Sequence, residues 1–310
     1  MNTITIEYPT DLPDYELIDS GDGEKLEKFQ GYTVVRPDPR ALWQKTLSQS
    51  IWEKADAQYH RTSSESGTWN IRTPPPDPWL FHYKKSSFLL KPTDFKHVGI
   101  FPEQAVNWDW MIRILTKACH PELAEGSQFR TEDSRLHGYD MQILNLFAYT
   151  GGATVALAQN GAHVTHVDSV KSTITWANEN YTLNIIDPTR VRWIEDDAYK
   201  FVLREAKRGK IYDAIIMDPP RFGRGNHGEI WKLEHDLPKL LTACKQILSP
   251  TPLFFLINAY TADLSSLVLS NLMGNLMGNH KGTITFGELA TKESSSDRLL
   301  PQGIFARWER

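Results

Sequence analysis

The spacing of apolar residues changes character along the chain. From Gly31 to about residue 100 it is short and strand-like. Tyr32, Val34 and Val35 precede a Pro-punctuated turn, and RTSSESGTWNIRTPPPDP reads as a strand between turns. Its three consecutive prolines exclude a helix interior or central strand at that point. The apolar runs of WLFHYKKSSFLLKP flank Lys84-Lys85-Ser86-Ser87 as in a hairpin. A short helix is expected around Ala41, Leu42, Trp43 and Trp52. Residues 1–30 show little periodicity and read as an acidic lead-in.

The period becomes helical at 101–120, where Trp108, Met111, Ile112 and Leu115 fall on one face, with Pro121 and Gly126 ending the helix. From 140 onward strands and helices alternate. MQILNLFAY, HVTHVDS, VRWIED, YDAIIMDPP and LFFLINA are the predicted strands. Helices are predicted over 152–160, 170–184, 197–208, 234–248 and 262–276. TITFGELA and GIFARWE can close the sheet as a hairpin. This order specifies an open α/β sheet. The expected division is 1–100, a small mostly β accessory domain, and 101–310, one large α/β domain.

Composition adds limits. The chain has 310 residues, of which 40% are hydrophobic and 23% charged, as in a soluble globular protein. It has no apolar run near the roughly 20 residues that span a bilayer, and its acidic start lacks a signal-segment pattern. Its two cysteines make neither a disulfide scaffold nor a clustered metal site. The expectation is a cytoplasmic protein without a metal or a membrane partner. A net charge of -4 argues against bulk-charge binding of nucleic acid. Residues 1–30 hold eight acids and two lysines, however, and the remainder carries 32 basic and 30 acidic residues. A local basic face is therefore compatible with the balance.

The candidate chemistry lies at the ends of the predicted strands. Gly151-Gly152 permits a tight strand-to-helix turn and close approach of a ligand to backbone. It matches neither the spaced dinucleotide pattern nor a phosphate loop. Asp168, ending the next strand, can accept hydrogen bonds from an adenosine ribose. Asp197 can accept from the amine of adenine or cap the following helix, with Asp196 its rival. Asp218-Pro219-Pro220-Arg221-Phe222 follows an apolar strand. Its prolines hold carbonyl groups in a rigid turn that can receive a planar amine, and Phe222 can stack on a base.

Together these stretches resemble the class I S-adenosylmethionine-dependent methyltransferases, in the branch of the ribosomal RNA large-subunit methyltransferases I and K/L. NLFAYTGGATVALA, HVDSVKSTITWANENYTLN, WIEDDAYKFV and YDAIIMDPPRFGRG carry the likeness, which covers 140–225 well and 100–310 more loosely. It implies a Rossmann-like seven-stranded sheet and S-adenosyl-L-methionine as cofactor. Asn145, Phe147, Tyr149, Thr150 and Gly151 would surround its methionine portion, Asp168 its ribose and Asp197 its adenine. Asp218, Pro219, Pro220 and Phe222 would close the active site. Upstream, Phe101 and Gln104 match residues that cover the cofactor, while Trp108 stands where the family commonly has arginine.

The resemblance implies methyl transfer to a base of ribosomal RNA. Relatives that methylate cytosine carbon 5 carry a Ser-Cys-Ser segment after the fifth strand; here the region reads Leu256-Ile257-Asn258-Ala259-Tyr260-Thr261. Nitrogen methylation is therefore favoured. Arg221, Arg224, His227 and Lys232 are candidate RNA contacts, as are Lys84, Lys85, Lys91 and Lys96. A small-molecule or protein methyltransferase is one alternative, and a nonenzymatic RNA-binding module with a retained fold another. Oligomeric state is left open.

Overall fold

A computed structural model describes residues 3–62, 66–119, 141–224, 230–261 and 263–310. The chain divides into two compact units: Met1–Ile6 with Asn107–Glu288 and Gly303–Arg310, and Glu7–Val106 with Leu289–Gln302. The polypeptide thus passes between units several times, where the pattern along the chain suggested one boundary near residue 100.

After β1 (Thr5–Glu7), the smaller unit begins with β2 (Tyr15–Gly21), β3 (Glu24–Phe29) and β4 (Tyr32–Pro37). A short helix α1 (Gln49–Trp52) leads to β5 (Ala57–Arg61) and β6 (Gly67–Ile71), completing a five-stranded sheet in the order β2-β3-β4-β5-β6. The hairpin of β7 (Leu80–Tyr83) and β8 (Ser86–Leu89) follows. The segment read as an acidic lead-in is therefore largely sheet. Asp22-Gly23 turns β2 into β3 with both residues at positive φ, the backbone twist a two-residue hairpin needs. Helix α1 excludes Ala41–Trp43: Ala41 packs with Leu17 and Leu300, and Trp43 donates its indole N–H to the Ser20 carbonyl at 3.0 Å.

Several acids of this segment are buried. Arg36 grips Glu27 with two bonds of 2.7 and 2.8 Å, and Lys25 lies 3.4 Å from Glu27 and 3.6 Å from Asp38. Burial alone would raise the Glu27 carboxyl, but Arg36 and Lys25 hold it below the ordinary glutamate range. Asp19 accepts from the backbone amides of Thr46 and Leu47 and from the Trp52 indole. These carboxylates organise a fold and are not a solvated tail.

Helix α2 (Ala105–Cys119) leads into the larger unit, preceded by a 3-10 turn at Pro102–Gln104. Then come β9 (Gln142–Leu146), α3 (Gly152–Ala158), β10 (His163–Asp168), α4 (Lys171–Leu183), β11 (Val191–Glu195), α5 (Ala198–Lys207) and β12 (Ala214–Met217). The short strands β13 (Phe222–Arg224) and β14 (Ile230–Lys232) pair with each other before α6 (Leu233–Cys244), β15 (Phe254–Ala259), α7 (Ser266–Met277), β16 (Thr283–Lys292) and β17 (Leu299–Glu309). The main sheet runs β1-β16-β17-β15-β12-β9-β10-β11. It has eight strands where seven were expected, and β1, from the presumed lead-in, is the addition.

Strands β9, β10, β11, β12 and β15 are parallel, and β17 runs antiparallel to β15. Every residue of β12 and β15 is buried, as expected of strands covered on both faces. Leu144, Leu146, Ile215, Met217, Phe255 and Ile257 belong to one apolar core with residues of α5, α6 and α7. The strand order reverses between β9 and β12, so their carboxyl ends form the crevice where open α/β sheets bind ligands. Among the described residues no helix is long and apolar enough to cross a membrane.

Candidate active site

The turn after β9 is conformationally demanding. Phe147 and Tyr149 have φ of 56° and 50°, and Gly151 has 83°. Left-handed backbone is costly for bulky residues unless surrounding contacts enforce it, and here several do. Ala148 N–H donates to the Val167 carbonyl at 3.1 Å, and Tyr149 N–H to the Asp168 carboxylate at 2.9 Å. Asn180 donates its side-chain amide to the Thr150 carbonyl at 2.9 Å. Below the turn, buried Asn145 donates to Thr154 Oγ1, which lies 3.0 Å from His166 Nδ1. Burial lowers the His166 pKa to about 3, so its ring is neutral in this network.

There is no spare space at the glycines. A Cβ on Gly152 would lie 2.6 Å from Trp108 Cζ2, and one on Gly151 would lie 3.1 Å from the Ala177 Cβ. Trp108, the departure from the family's usual basic residue, thus packs its indole over the start of α3.

Asp168 is a structural tie as well as a candidate ligand. Its half-buried carboxylate accepts from Tyr149 N, Val170 N and Thr173 Oγ1 at 2.9–3.1 Å. Burial outweighs these donors and raises its pKa above the ordinary value. The Ser169 amide also bonds this carboxylate, so its roughly four acceptor positions are already engaged, and a ribose hydroxyl would share or displace one of these donors. Asp197 is the N-cap of α5, accepting from Lys200 N–H at 2.8 Å. Asp196 accepts from Asp197 N–H and pairs with Arg204. Both acids after β11 therefore have structural duties, and the capping role weighed for Asp197 is present.

Asp218 and Pro219 leave the carboxyl end of β12, half-buried and buried respectively, and Phe222 is 48% exposed. An exposed ring at this place suits stacking against a base. Trp231 was not anticipated. Its indole N–H donates to the Pro220 carbonyl at 2.7 Å, and its ring lies 5.1 Å from that of Phe147. One side chain thereby joins the Asp218–Phe222 turn to the glycine turn. Pairing of β13 with β14, which places Trp231 opposite Gly223, is the feature that brings it there. No spacing rule in the sequence pointed to it.

The proposed basic stretch looks different in three dimensions. Arg221 pairs with Asp263 and lies 4.0 Å from Glu234, so its charge is largely answered by acids. Lys232 is exposed. The Arg224 side chain and His227 fall outside the described residues. In the smaller unit, half-buried Lys96 donates to the Pro37 carbonyl at 2.9 Å, and burial, then Lys25 and Arg36, lowers its pKa to about 8. It is a structural lysine, unlike the surface contact considered for it. Lys84 lies 5.4 Å from the Tyr83 ring centroid.

Phe101 and Gln104 also belong to the smaller unit, at the two ends of the 3-10 turn, and Gln104 is buried. His97 packs its ring 5.1 Å from Phe101; burial lowers its pKa to about 3, which makes it a neutral packing histidine.

The larger unit thus gathers Asn145, Phe147, Tyr149, Thr150, Gly151, Asp168, Asp197 and the Asp218–Phe222 turn at consecutive carboxyl strand ends. Carboxylates for a ribose and an amine, beside backbone at a helix start, fit an adenosine-bearing cofactor. Among the described residues no group of three or more His, Cys, Asp or Glu side chains is placed to hold a metal ion.

Comparison with known proteins agrees with this chemistry. Residues 130–264 match the family model of S-adenosylmethionine-dependent methyltransferases. The solved structure of an S-adenosylmethionine-dependent methyltransferase from Agrobacterium tumefaciens is 37% identical, with a TM-score of 0.87, and the match covers 98% of this chain and 93% of that one. A methyltransferase complexed with SAH shares the fold at 17% identity and a TM-score of 0.70, over 96% of this chain and 76% of the other. Among curated proteins, ribosomal RNA large subunit methyltransferase K/L of Pseudoalteromonas translucida is 40% identical over 114 residues, 36% of this chain. Ribosomal RNA large subunit methyltransferase K of Neisseria meningitidis is 31% identical over 134 residues, 43% of this chain. These matches span only 16% and 37% of the curated relatives' own lengths. With a near full-length relative of this identity, the chain belongs to the S-adenosylmethionine-dependent methyltransferases, and S-adenosyl-L-methionine is its cofactor.

Proposed function

We propose that the protein methylates a base of ribosomal RNA, at a nitrogen and not at cytosine carbon 5. The carrying observation is the Asp218-Pro219-Pro220-Phe222 turn, fastened through Trp231 to Phe147 in the glycine turn. The relatives named for ribosomal RNA methylation support the acceptor class.

The bound cofactor supplies an electrophilic methyl group. The chain's contribution is to hold the acceptor in line with that group and away from water, where positioning provides much of the acceleration. In this reading Asp168 holds the ribose, Asp197 meets the adenine amine, and Asn145, Phe147, Tyr149, Thr150 and Gly151 frame the methionine portion. The parts given to Phe101 and Gln104 rest on the family resemblance. The Asp218 carboxylate and Pro219 carbonyl accept from an exocyclic amine, turning its nitrogen toward the methyl, while Phe222 stacks on the base. A base within a duplex must first be turned out of the stack.

Carbon-5 chemistry needs a nucleophile that adds to the ring, for which a thiolate is suited. Cys244 is fully buried in α6, and Cys119 lies near the end of α2. Burial raises both thiols, Cys244 strongly. Neither is a thiolate at neutral pH, and the segment after β15 carries none.

The test offers methyl-labelled S-adenosylmethionine with separate ribosomal RNA, protein and metabolite fractions. Label in RNA is expected. Label confined to protein or metabolites would reject the acceptor. Saturable RNA binding without cofactor binding or turnover would favour the nonenzymatic alternative.

A further inference from the structure

At the amino ends of the sheet strands the larger unit contains a cavity of about 360 Å³. That volume lies within the usual range for small-ligand sites. It opens where β9, β10 and β11 begin, beside the loop Lys210–Tyr212. At roughly 3.3 Å per residue along β10, His163 in its wall lies about 17 Å from Asp168. The cavity therefore serves neither the cofactor nor the methyl acceptor.

Its lining is cationic. Arg190, Arg192 and Lys210 contribute to it with His163, Gln142 and Thr189, and no lining residue is a carboxylic acid. Arg190 donates to the Gly161 carbonyl at 2.9 Å and lies 3.1 Å from His163 Nε2, which accepts when the ring is neutral. Arg192 donates to Glu205 at 2.9 Å.

The acids acting on this wall stand behind it, bonded to its own residues. Glu205 is buried and shared among Arg192, Arg208 and the Tyr212 hydroxyl. Burial would raise its carboxyl, but Tyr212 and the two arginines hold it low, so it stays charged and fixes the Arg192 guanidinium. Asp187 accepts from the Thr189 amide and hydroxyl, and Asp213 from the Gln142 amide. More positive than negative groups surround the cavity. The carbonyl end of α5 opposes an anion there, and Lys207 and Arg208 counter that dipole.

We propose that this cavity is a phosphate-binding site. Planar guanidinium groups match phosphate oxygens in pairs, and a lysine adds a mobile point charge. Arg190 and Lys210, with the Arg192 guanidinium held in place by Glu205, suit an anion with more than one negative charge, which a pyrophosphate carries and a lone carboxylate does not. The phosphate can come from an RNA backbone or from a small free molecule, and the shared chemistry is the same.

The test titrates pyrophosphate into the full-length chain by calorimetry, and measures anisotropy of a labelled single-stranded RNA oligonucleotide. Arg190→Gln and Lys210→Glu are compared with wild type, with S-adenosylmethionine binding showing that each variant is folded. Arg190→Gln loses one charge-assisted contact and should weaken pyrophosphate binding about tenfold, and Lys210→Glu, which reverses a charge, should weaken it further. If RNA affinity falls in parallel and pyrophosphate competes with RNA, the backbone is the source. Unaltered RNA affinity assigns a small free phosphate. Failure of wild type to bind pyrophosphate, or equal binding by wild type and both folded variants, overturns the site whatever the RNA result. Methyl transfer, read on the same samples, judges the proposed function separately.

Discussion

Trp231→Phe separates the fastening of the acceptor turn from the packing of the core. Trp231 is 9% exposed, belongs to the main apolar core and makes two distinct contacts. Its N–H reaches the Pro220 carbonyl at 2.7 Å, and its ring meets Phe147 at 5.1 Å and 57°. Phenylalanine keeps an aromatic ring there, so the ring contact, worth about 0.5–1.5 kcal/mol, largely survives. The hydrogen bond is lost. A buried orphan acceptor would cost about 1–3 kcal/mol, but Pro220 is exposed and its carbonyl can take up water. The expected stability loss is therefore near the net value of a hydrogen bond, about 1 kcal/mol. Trp231→Ala removes the ring as well and should cost about 3–5 kcal/mol. Catalysis should be far more sensitive than stability, because the released bond sets where Asp218 and Pro219 stand. An offset of the order of 1 Å in a positioned group can cost about a hundredfold in rate. The assays are denaturant unfolding, calorimetric S-adenosylmethionine binding and single-turnover methyl transfer. Trp231→Phe should lose at least about tenfold in rate with cofactor affinity nearly unchanged. A wild-type rate in a variant destabilised by the expected amount would refute the fastening argument.

Four further outcomes follow from the same geometry. Asp168→Ala should weaken S-adenosylmethionine binding about tenfold or more by removing a charged acceptor, and a folded variant with wild-type affinity would remove Asp168 from the cofactor site. Burial places the Asp168 carboxyl above its ordinary 3.8, so its contribution to stability is fullest below that value and is lost as pH rises through the folded pKa. Cofactor affinity moves oppositely, falling on acidification already above 3.8; a titration in which wild type and Asp168→Asn have the same pH dependence would contradict this. Glu27→Gln leaves Arg36 and Lys25 buried without their shared carboxylate and should cost about 3–5 kcal/mol in unfolding measurements. Gly152→Ala should destabilise by about 1–3 kcal/mol because its methyl meets Trp108 at 2.6 Å; pairing it with Trp108→Leu should recover much of that loss, and no recovery would show that the clash lies elsewhere.

The alternating strands and helices after residue 140 were legible because each strand is a compact apolar run ended by a turn signal. The positions of the glycine turn and Asp168 were legible for the same reason, since both lie at strand ends. Other features depend on distant pairings. Trp231 has no signature of its own until β13 and β14 pair and carry its indole to Pro220. The acids of residues 1–30 gave a misleading impression because charge was read without partners. Arg36 reaches Glu27 diagonally across the β3/β4 ladder, where its direct partner is Lys25, and composition does not register that neighbour. The Asp22-Gly23 turn, flanked by Leu17, Ile18, Leu26 and Phe29, was the local signal that the segment is a hairpin. Arg221 was likewise read with its basic neighbours, whereas Asp263, brought in by the fold, answers its charge.

Methyl transfer to a base nitrogen of RNA at the turn Asp218–Phe222 is tested most directly on the modified nucleoside itself. Unmodified ribosomal RNA incubated with the protein and methyl-labelled S-adenosylmethionine, then digested to nucleosides, can be read by mass spectrometry. One labelled nucleoside with the methyl on an exocyclic nitrogen is expected, and its loss with Asp218→Ala. Label at cytosine carbon 5, or undiminished label with folded Asp218→Ala, would contradict it.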